Sequence, residues 1–186
     1  MDKPWIELLN SDWHDYLGRG GAADRLDDPK WVRTFLAGWA LPARIVSAKA
    51  TRAALGELRL VLRRLVDRAV AGESLTKADL KALNSVLGAE PVVRRVERAD
   101  SAYRLRLEPV HSSLRAVLAE IAKSFADMLI DGDLGRIKLC ENSDCRWVFY
   151  DRSRSRTRRW CEGASGCGNL LKVRRFRERQ KKKRGH

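Results

Sequence analysis

The sequence lacks the features that mark secreted, membrane-spanning and histidine-dependent catalytic proteins. It begins Met-Asp-Lys-Pro-Trp, which has neither the basic start nor the apolar stretch of a secretory signal. No run of residues approaches the ~20 consecutive apolar positions of a membrane span. Histidine occurs three times, with His14 and His111 far from every cysteine and His186 at the terminus. We expect a cytoplasmic protein with no membrane association, no catalytic residues and no organic cofactor.

Acidic residues are scarce in the last part of the chain. Residues 136–186 hold 17 Lys and Arg against 5 Asp and Glu, whereas residues 1–135 hold 21 against 19. Almost the whole net charge of +14 is therefore concentrated in one C-terminal segment. Such a field attracts polyanions, nucleic acid first and acidic lipid second, although a solubilising tail is the simpler alternative. The charges surround a metal-type motif, which favours nucleic acid.

Cysteine is also scarce, and its four copies all lie in that basic segment, as Cys140, Cys145, Cys161 and Cys167. In a reducing cytosol, clustered cysteines indicate a metal site, although two disulfides or four unrelated thiols are alternatives. Two close pairs separated by fifteen residues suit a tetrahedral thiolate cage. A catalytic zinc would need an open position and usually a His or carboxylate ligand. The pattern therefore predicts one structural Zn²⁺ per chain.

Helical periodicity dominates residues 1–135. Apolar residues at helical spacing predict a first helix. Asp28-Pro29 and the capping pair of Thr76 with Asp79 predict later helix starts, and Gly72 and Gly88 predict helix stops. The predicted helices cover residues 5–16 (with a strand near residue 6 as the alternative), a short segment from 29 to Pro42, 47–71, 76–88 and a long segment after Pro109.

Alternating patterns predict two hairpins. Residues 92–98 and 103–108 flank a polar turn, and residues 136–139 and 146–150 flank the first cysteine pair. The second cysteine pair precedes a helical stretch, as in a treble-clef-like module. The Gly- and Asp-rich residues 131–135 form the best linker. We predict an α+β fold: a mainly helical N-terminal domain with a small β-hairpin at 1–135, then a four-cysteine, treble-clef-like zinc finger with a basic C-terminal helix at 136–186.

Two basic surfaces are candidates for nucleic-acid contact. Between the cysteine pairs, Arg alternates with Ser and Thr, which are common phosphate donors, although a flexible solvated loop is the alternative. In the last helix we expect Leu170, Val173 and Phe176 to pack on the zinc hairpin, leaving Leu171 unexplained among outward basic residues. The candidate contacts are Arg152, Arg154, Arg156, Arg158, Arg159, Lys172, Arg174, Arg175, Arg179 and Lys182.

The finger resembles the CGNR zinc-finger family. The resemblance rests on Cys145-Arg-Trp-Val-Phe-Tyr-Asp151, on Ser153-Arg-Ser-Arg-Thr-Arg-Arg-Trp-Cys161, and on Cys167-Gly-Asn followed by Lys172-Val-Arg-Arg-Phe-Arg177. The N-terminal part, with Leu8-Leu-Asn-Ser11, is similar to the ABATE domain that precedes that finger. The family, described as stress-induced transcription regulators of bacteria, implies DNA binding and the four cysteines as zinc ligands.

Two departures from the family pattern are visible. Leu170 replaces the Arg of the motif, which removes a phosphate or base contact expected there. The second cysteine spacing is one residue longer, and we expect the loop at 163–166 to absorb it.

These observations predict a stress-responsive, sequence-specific DNA-binding regulator associated with the nucleoid. An RNA- or ribosome-binding module would use the same arginines, and a protein–protein zinc module is a further alternative. A small-molecule enzyme in the N-terminal domain is disfavoured, because no acid–base or nucleophile constellation is visible there. The near-neutral, aromatic-rich N-terminal domain is a candidate for homodimerisation or for binding a small-molecule effector.

Overall fold

The structure, a computed structural model, describes residues 3–17, 19–41, 47–161 and 166–184, and the side chains of all of these except 178 and 182–184. The helices are α1 (Pro4–Leu9), α2 (Pro29–Gly38), α3 (Ala48–Val70), α4 (Lys77–Leu87), α5 (Leu114–Asp131) and α6 (Cys167–Arg184). The strands form antiparallel hairpins, β1 (Asp12–His14) with β2 (Ala22–Asp24), β3 (Val92–Ala99) with β4 (Ala102–Pro109), and β5 (Ile137–Leu139) with β6 (Val148–Tyr150). Short 3-10 helices lie at Arg25–Asp27 and Leu134–Arg136. The predicted α+β fold is confirmed.

Local capping signals fix most helix ends. Asp28 accepts from the backbone N–H of Lys30 at the start of α2, and Ser47 caps α3. Thr76 and Asp79 form a full capping box at α4, as their spacing predicted. Gly72, with φ of +73°, follows the end of α3 in the left-handed conformation that glycine adopts without strain. The predicted helices at 47–71 and 76–88 are therefore confirmed.

One hydrophobic core joins the helices to the zinc hairpin. Trp5 of α1 meets Phe125 of α5 edge-on, with ring centroids 5.2 Å apart. The apolar stripe of α3 packs against both helices, and Ile137 of β5 and Val148 of β6 are buried in the same cluster. The finger's hairpin is therefore packed against the helical part, and it shares that core.

The predicted first helix was wrong beyond residue 9. α1 ends at Leu9, and Trp13 instead pairs with Ala23 across the β1–β2 hairpin. The hydroxyl of Ser11 donates to the carbonyl of Leu8 (2.6 Å) and satisfies a group that a longer helix would have used. One smaller correction follows: α2 ends at Gly38, and the predicted stop Pro42 lies outside the described residues.

The predicted hairpin at 92–108 is confirmed, but it projects from the fold. β3 and β4 pair in register from Val92 opposite Pro109 to Ala99 opposite Ala102, and we call residues 92–109 the arm. Most of its side chains are exposed, including large apolar ones. Among the described helices, none combines the length and apolar character needed to cross a bilayer.

Candidate metal centre and nucleic-acid interface

The β5–β6 hairpin positions the first cysteine pair. Cys140 directly follows β5, and its backbone N–H donates to the carbonyl of Trp147 (2.8 Å), which extends the hairpin pairing. The chain then turns at Asn142, whose carbonyl accepts from the N–H of Cys145 (2.9 Å). Arg146 has a φ of +55°, and this left-handed conformation turns the chain back towards β6. This tight turn brings two sulfurs to one side of the hairpin.

The second pair comes from the end of the arginine-rich loop and the start of α6. Cys161 ends the loop, and Cys167 is the first residue of α6. All four Sγ atoms lie within 4.8 Å of one another, with Cys145–Cys161 at 3.6 Å and Cys161–Cys167 at 3.7 Å. A tetrahedral zinc with Zn–S bonds of ~2.3 Å needs sulfurs about 3.8 Å apart. The cluster therefore matches a four-thiolate zinc cage.

The cage is closed, and its four cysteines are in the reduced form. All four cysteines are buried, with Cys167 fully inaccessible, and none is in a disulfide. Four thiolate ligands leave no open coordination position, which is typical of a structural rather than a catalytic zinc. The donor set, its spacing and its burial thus fit the ion that the sequence predicted.

Without a cation, the crowded sulfurs oppose ionisation. The largest single effect on Cys140 is a hydrogen bond with Cys145, which lowers the pKa of Cys140. Cys161 and burial raise that pKa, and the net result is a pKa of about 11 for Cys140. Cys140 and Cys161 both raise the pKa of Cys145, and burial adds to this effect. A bound Zn²⁺ reverses the balance, because it stabilises thiolates directly. The protein's cysteines are therefore arranged for a cation.

Asn142 supports the cage from outside. Its side-chain amide donates to the carbonyl of Tyr16 (2.9 Å) and lies 3.5 Å from the Sγ of Cys167. Its side-chain oxygen accepts from the N–H of Asp144 (3.4 Å). One buried side chain thus ties the cysteine turn to both the N-terminal segment and the first residue of α6. Nothing in the local sequence pattern pointed to this residue.

Asn10 makes a second link between the two parts of the chain. Its amide donates to the carbonyl of Val148 (2.9 Å), and its carbonyl accepts from the N–H of Val148 (2.8 Å). Both residues are buried. A side chain at the end of α1 therefore replaces a missing strand partner along β6 and fixes the finger's orientation. The sequence singled out Asn10 only as part of a family resemblance.

The arginine-rich loop is ordered by a buried carboxylate. Asp151, fully inaccessible, accepts from the N–H and hydroxyl of Ser153 (2.9 and 2.6 Å) and from the N–H of Arg158 (3.0 Å). Burial acts most strongly on Asp151 and opposes its charge, but these hydrogen bonds outweigh it and lower the pKa to about 2. Lys138 also donates to the carbonyl of Arg156 (2.5 Å). The alternative of a flexible solvated loop does not match this network.

Two of the candidate contact residues face inward. The Arg158 guanidinium lies 4.4 Å from the ring centroid of Phe149 and donates to the carbonyl of Trp160 (2.9 Å). Arg174 on α6 donates to Asp144 (2.9 Å) and to the carbonyl of Leu17. These arginines have structural partners within the chain.

The other candidates lie on the surface. Arg156 pairs with Asp133 (2.7 Å) and Arg159 with Glu141 (2.7 Å), and each side chain keeps about half of its surface exposed. The side chain of Lys182 lies outside the described residues. The remaining exposed candidates are Arg152, Arg154, Lys172, Arg175 and Arg179.

The predicted packing face of α6 was wrong at Val173 and Phe176. Val173 is 38% exposed and Phe176 is 59% exposed, so neither packs on the zinc hairpin. The inward side instead carries Cys167, Arg174 and two half-buried leucines, Leu170 and Leu171. Metal coordination by Cys167 fixes the rotation of the helix and overrides the apolar periodicity. This rotation explains Leu171, which the sequence pattern left unexplained.

Leu170, where the family motif has Arg, therefore sits on the inward side of α6. Beside it, a Cβ on Gly168 would come within 3.3 Å of the Trp160 ring, so the start of α6 packs closely on that indole. Most of the predicted loop at 163–166 lies outside the described residues.

Two family models match the chain. ABATE, described as a putative stress-induced transcription regulator, matches residues 2–132. The CGNR zinc finger matches residues 136–180. A comparison of the chain with curated proteins finds no match. Together the second match and the clustered sulfurs fit one structural zinc ion.

Proposed function

We propose that this chain, which belongs to the ABATE family and carries a CGNR zinc finger, is a DNA-binding transcription regulator whose finger is folded by zinc. The regulator acts in the cytoplasm, at the nucleoid, in response to stress. The proposal assigns no catalysis to the chain.

The observation that supports DNA binding most directly is the continuity of the basic surface around the cage. Arg159 lies two residues before Cys161 in the loop, and Arg175 lies about two turns after Cys167 in α6. The sulfurs of these two cysteines are 3.7 Å apart. Since Cys161 ends the loop and Cys167 begins α6, one ion holds both basic elements together. Such a shaped cationic surface suits a phosphate backbone.

Salt dependence tests this proposal. If the finger neutralises about six phosphates, log K for duplex DNA should fall with log salt at a slope near −5. Competition between duplex DNA and a structured RNA of equal length identifies the preferred polyanion. Preference for the RNA would favour the ribosomal or RNA-binding alternative. Binding of a protein partner that ignores salt, with no polyanion binding, would replace the proposal with a protein–protein module.

We further propose that the N-terminal domain forms a homodimer through the arm. One arm face carries ion pairs of Arg95 with Glu108 and of Arg104 with Glu97. The opposite face carries exposed large apolar side chains, and an isolated two-stranded hairpin of this kind is marginally stable in water. Exposed patches beyond a few hundred Å² mark interaction sites. The exposed large apolar residues of that face are Val92, Val96, Tyr103, Leu105 and Leu107, and Arg94 and Arg98 lie on the same face.

Sedimentation equilibrium of the full chain tests the dimer. Val96 on the arm and Leu60 on α3 are both 71% exposed, so a lysine at either position reaches solvent without entering the core. Val96→Lys should give a monomer, whereas Leu60→Lys should leave the dimer intact. A wild-type chain that sediments as a monomer would remove the proposal.

Effector binding is proposed for a cavity of about 470 Å³ between α2 and the start of α3. Its lining combines apolar residues, with Leu26 and Val32, and the basic Arg33 and Lys49, whereas Arg52 is paired with Asp27. Two cations beside an apolar surface suit a small anion with an apolar part. Isothermal titration with a series of such anions would detect the effector. Arg33→Ala should then weaken binding while leaving the zinc content unchanged.

A further inference from the structure

We propose that the outward face of α6 reads A·T base pairs in the major groove, through Phe176 and Val173 on thymine methyl groups and Asn169 on adenine. This inference rests on the proposed DNA binding, and it adds the class of sequence that is read.

The rotation of α6 is fixed, so its outward face is defined. Cys167 points into the sulfur cluster, and Arg174, seven residues later, is bonded to Asp144 and Leu17 on the same side. At about 100° per residue, Asn169, Val173 and Phe176 fall within one arc opposite this side. All three are exposed. They follow an i, i+4, i+7 pattern and stand on one surface stripe.

The apolar residues on this stripe need an explanation. Phe176 exposes 59% of its surface although Lys172, Arg175, Arg177 and Arg179 surround it. A membrane-surface helix separates its apolar and charged faces. Here, positively charged residues flank the apolar stripe on both sides, so the helix has no broad apolar face. An apolar strip bordered by cations instead fits a groove with phosphates along both edges.

The major groove has these properties. It admits an α-helix, and it presents the C5-methyl group of thymine to apolar side chains such as Phe. Asn forms bidentate hydrogen bonds with the N6 and N7 of adenine. Seven residues of helix rise about 10.5 Å, which matches about three base pairs. The stripe therefore has the chemistry and the length to read three consecutive pairs rich in A·T.

The flanking cations supply the non-specific part of the binding. Lys172 and Arg179 lie on one side of the stripe, and Arg177 lies on the other. Phosphate contacts set affinity and salt dependence, whereas base contacts set sequence preference. The two contributions can therefore be separated by substituting residues on and beside the stripe.

The experiment begins with selection of bound sequences from random duplex DNA, using the full zinc-loaded chain at near-physiological salt. The selected sequences should share a motif of about three A·T-rich pairs. The best duplex is then remade with uracil for each thymine in turn, which removes only the C5-methyl group. Wild-type affinity should fall several-fold at one or two positions.

The substitution Phe176→Ala gives the decisive comparison. Its affinity for the selected duplex should fall about tenfold, the usual cost of one lost base contact, with the salt slope unchanged. Uracil at the critical position should then have no further effect, because the methyl group has lost its partner. Leu60→Ala, which truncates a 71% exposed apolar residue on α3, serves as the matched control. Lys172→Ala should weaken all duplexes and reduce the slope.

Several outcomes would overturn the inference. Duplex binding without a selected motif, or wild-type insensitivity to uracil, removes base reading but leaves the proposed DNA binding intact. Phe176-dependent binding to anionic vesicles in place of duplex selectivity assigns the stripe to lipid. Failure to bind any duplex removes the proposed function as well. Equal zinc content in all variants shows that the finger remains folded.

Discussion

Asn10 and Val148, 138 residues apart in sequence, exchange two hydrogen bonds of 2.9 and 2.8 Å between the end of α1 and strand β6. The pair places the zinc finger directly on the helical part of the chain. Ile137 and Val148 lie in the shared core, and Asn142 is hydrogen-bonded to Tyr16. The finger is therefore packed against the helical part and is not joined to it by a linker alone. A conformational change in the helices would therefore be transmitted to the proposed DNA-binding surface through these contacts.

Asn10→Ala tests this docking. The substitution leaves the buried N–H and C=O of Val148 without partners, which should lower the free energy of unfolding by about 2–4 kcal/mol. Asn84→Ala, at an exposed position on α4, is the matched control and should be close to neutral. Chemical denaturation of the zinc-loaded chain gives both values. Equal stability of the two variants would argue against a docked finger.

Asp151→Asn tests the ordering of the arginine-rich loop. The amide keeps the size of the carboxylate but cannot accept the hydrogen bonds of Ser153 and Arg158 as a charged group. We expect the loop to loosen and duplex affinity to fall several-fold while zinc stays bound, because the cage is built from other residues. Anisotropy titrations and metal analysis measure the two effects. An unchanged affinity would show that loop order plays no part in binding.

Asp79 makes the stability of the helical part depend on pH. Hydrogen bonds from Thr76, first among the causes, hold the pKa of Asp79 below its ordinary value, with Arg64 and Arg68 adding to the effect. A lowered folded-state pKa means that the contribution is complete above the unfolded pKa near 4 and is lost as pH falls below it. Asp79→Asn should cost about 1–3 kcal/mol at pH 7 through the lost cap and ion pairs.

The pH dependence separates this effect from general acid denaturation. The stability difference between wild type and Asp79→Asn should stay constant down to about pH 5 and shrink below pH 4. Asp127→Asn, which removes a half-exposed partner of Lys123, should change stability little at any pH. A difference that grows as the solution is acidified would contradict the assignment.

Two glycines in helices should respond differently to alanine. Gly56 in α3 has nothing within 4 Å of an added Cβ, so Gly56→Ala should stabilise the chain by about 0.5–1 kcal/mol. An added Cβ on Gly168 would lie 3.3 Å from the Trp160 ring, and the resulting shift should cancel that gain. Thermal unfolding of the two variants makes the comparison. Equal stabilisation of the two variants would show that the Trp160 side chain shifts at no cost to accommodate the added methyl group.

Sequence reasoning succeeded where the information is local. The Thr76–Asp79 box and the Asp28 cap were read correctly, because each depends on atoms within four residues. The cysteine cluster could also be predicted, since thiolate spacing and a reducing compartment restrict the alternatives. The bounds of α3 followed from an uninterrupted apolar stripe.

Sequence reasoning failed where contacts between residues far apart in the sequence determine the structure. The orientation of α6 could not be read from apolar periodicity, because the metal ligand Cys167 and the Arg174 contacts with Asp144 and Leu17 set the rotation. The role of Asn10 depends on a strand 138 residues away. The alternation in residues 92–108 predicted a hairpin correctly, but alternation alone does not tell whether the apolar face is covered.

The most direct test of the account is zinc removal from the wild-type chain, with metal content, helicity and duplex affinity followed together. The account predicts one zinc per chain, loss of α6 helicity and a fall of duplex affinity by about tenfold or more on chelation, all restored by added Zn²⁺. A chain without stoichiometric zinc, or one whose helicity and duplex affinity survive chelation, would contradict it.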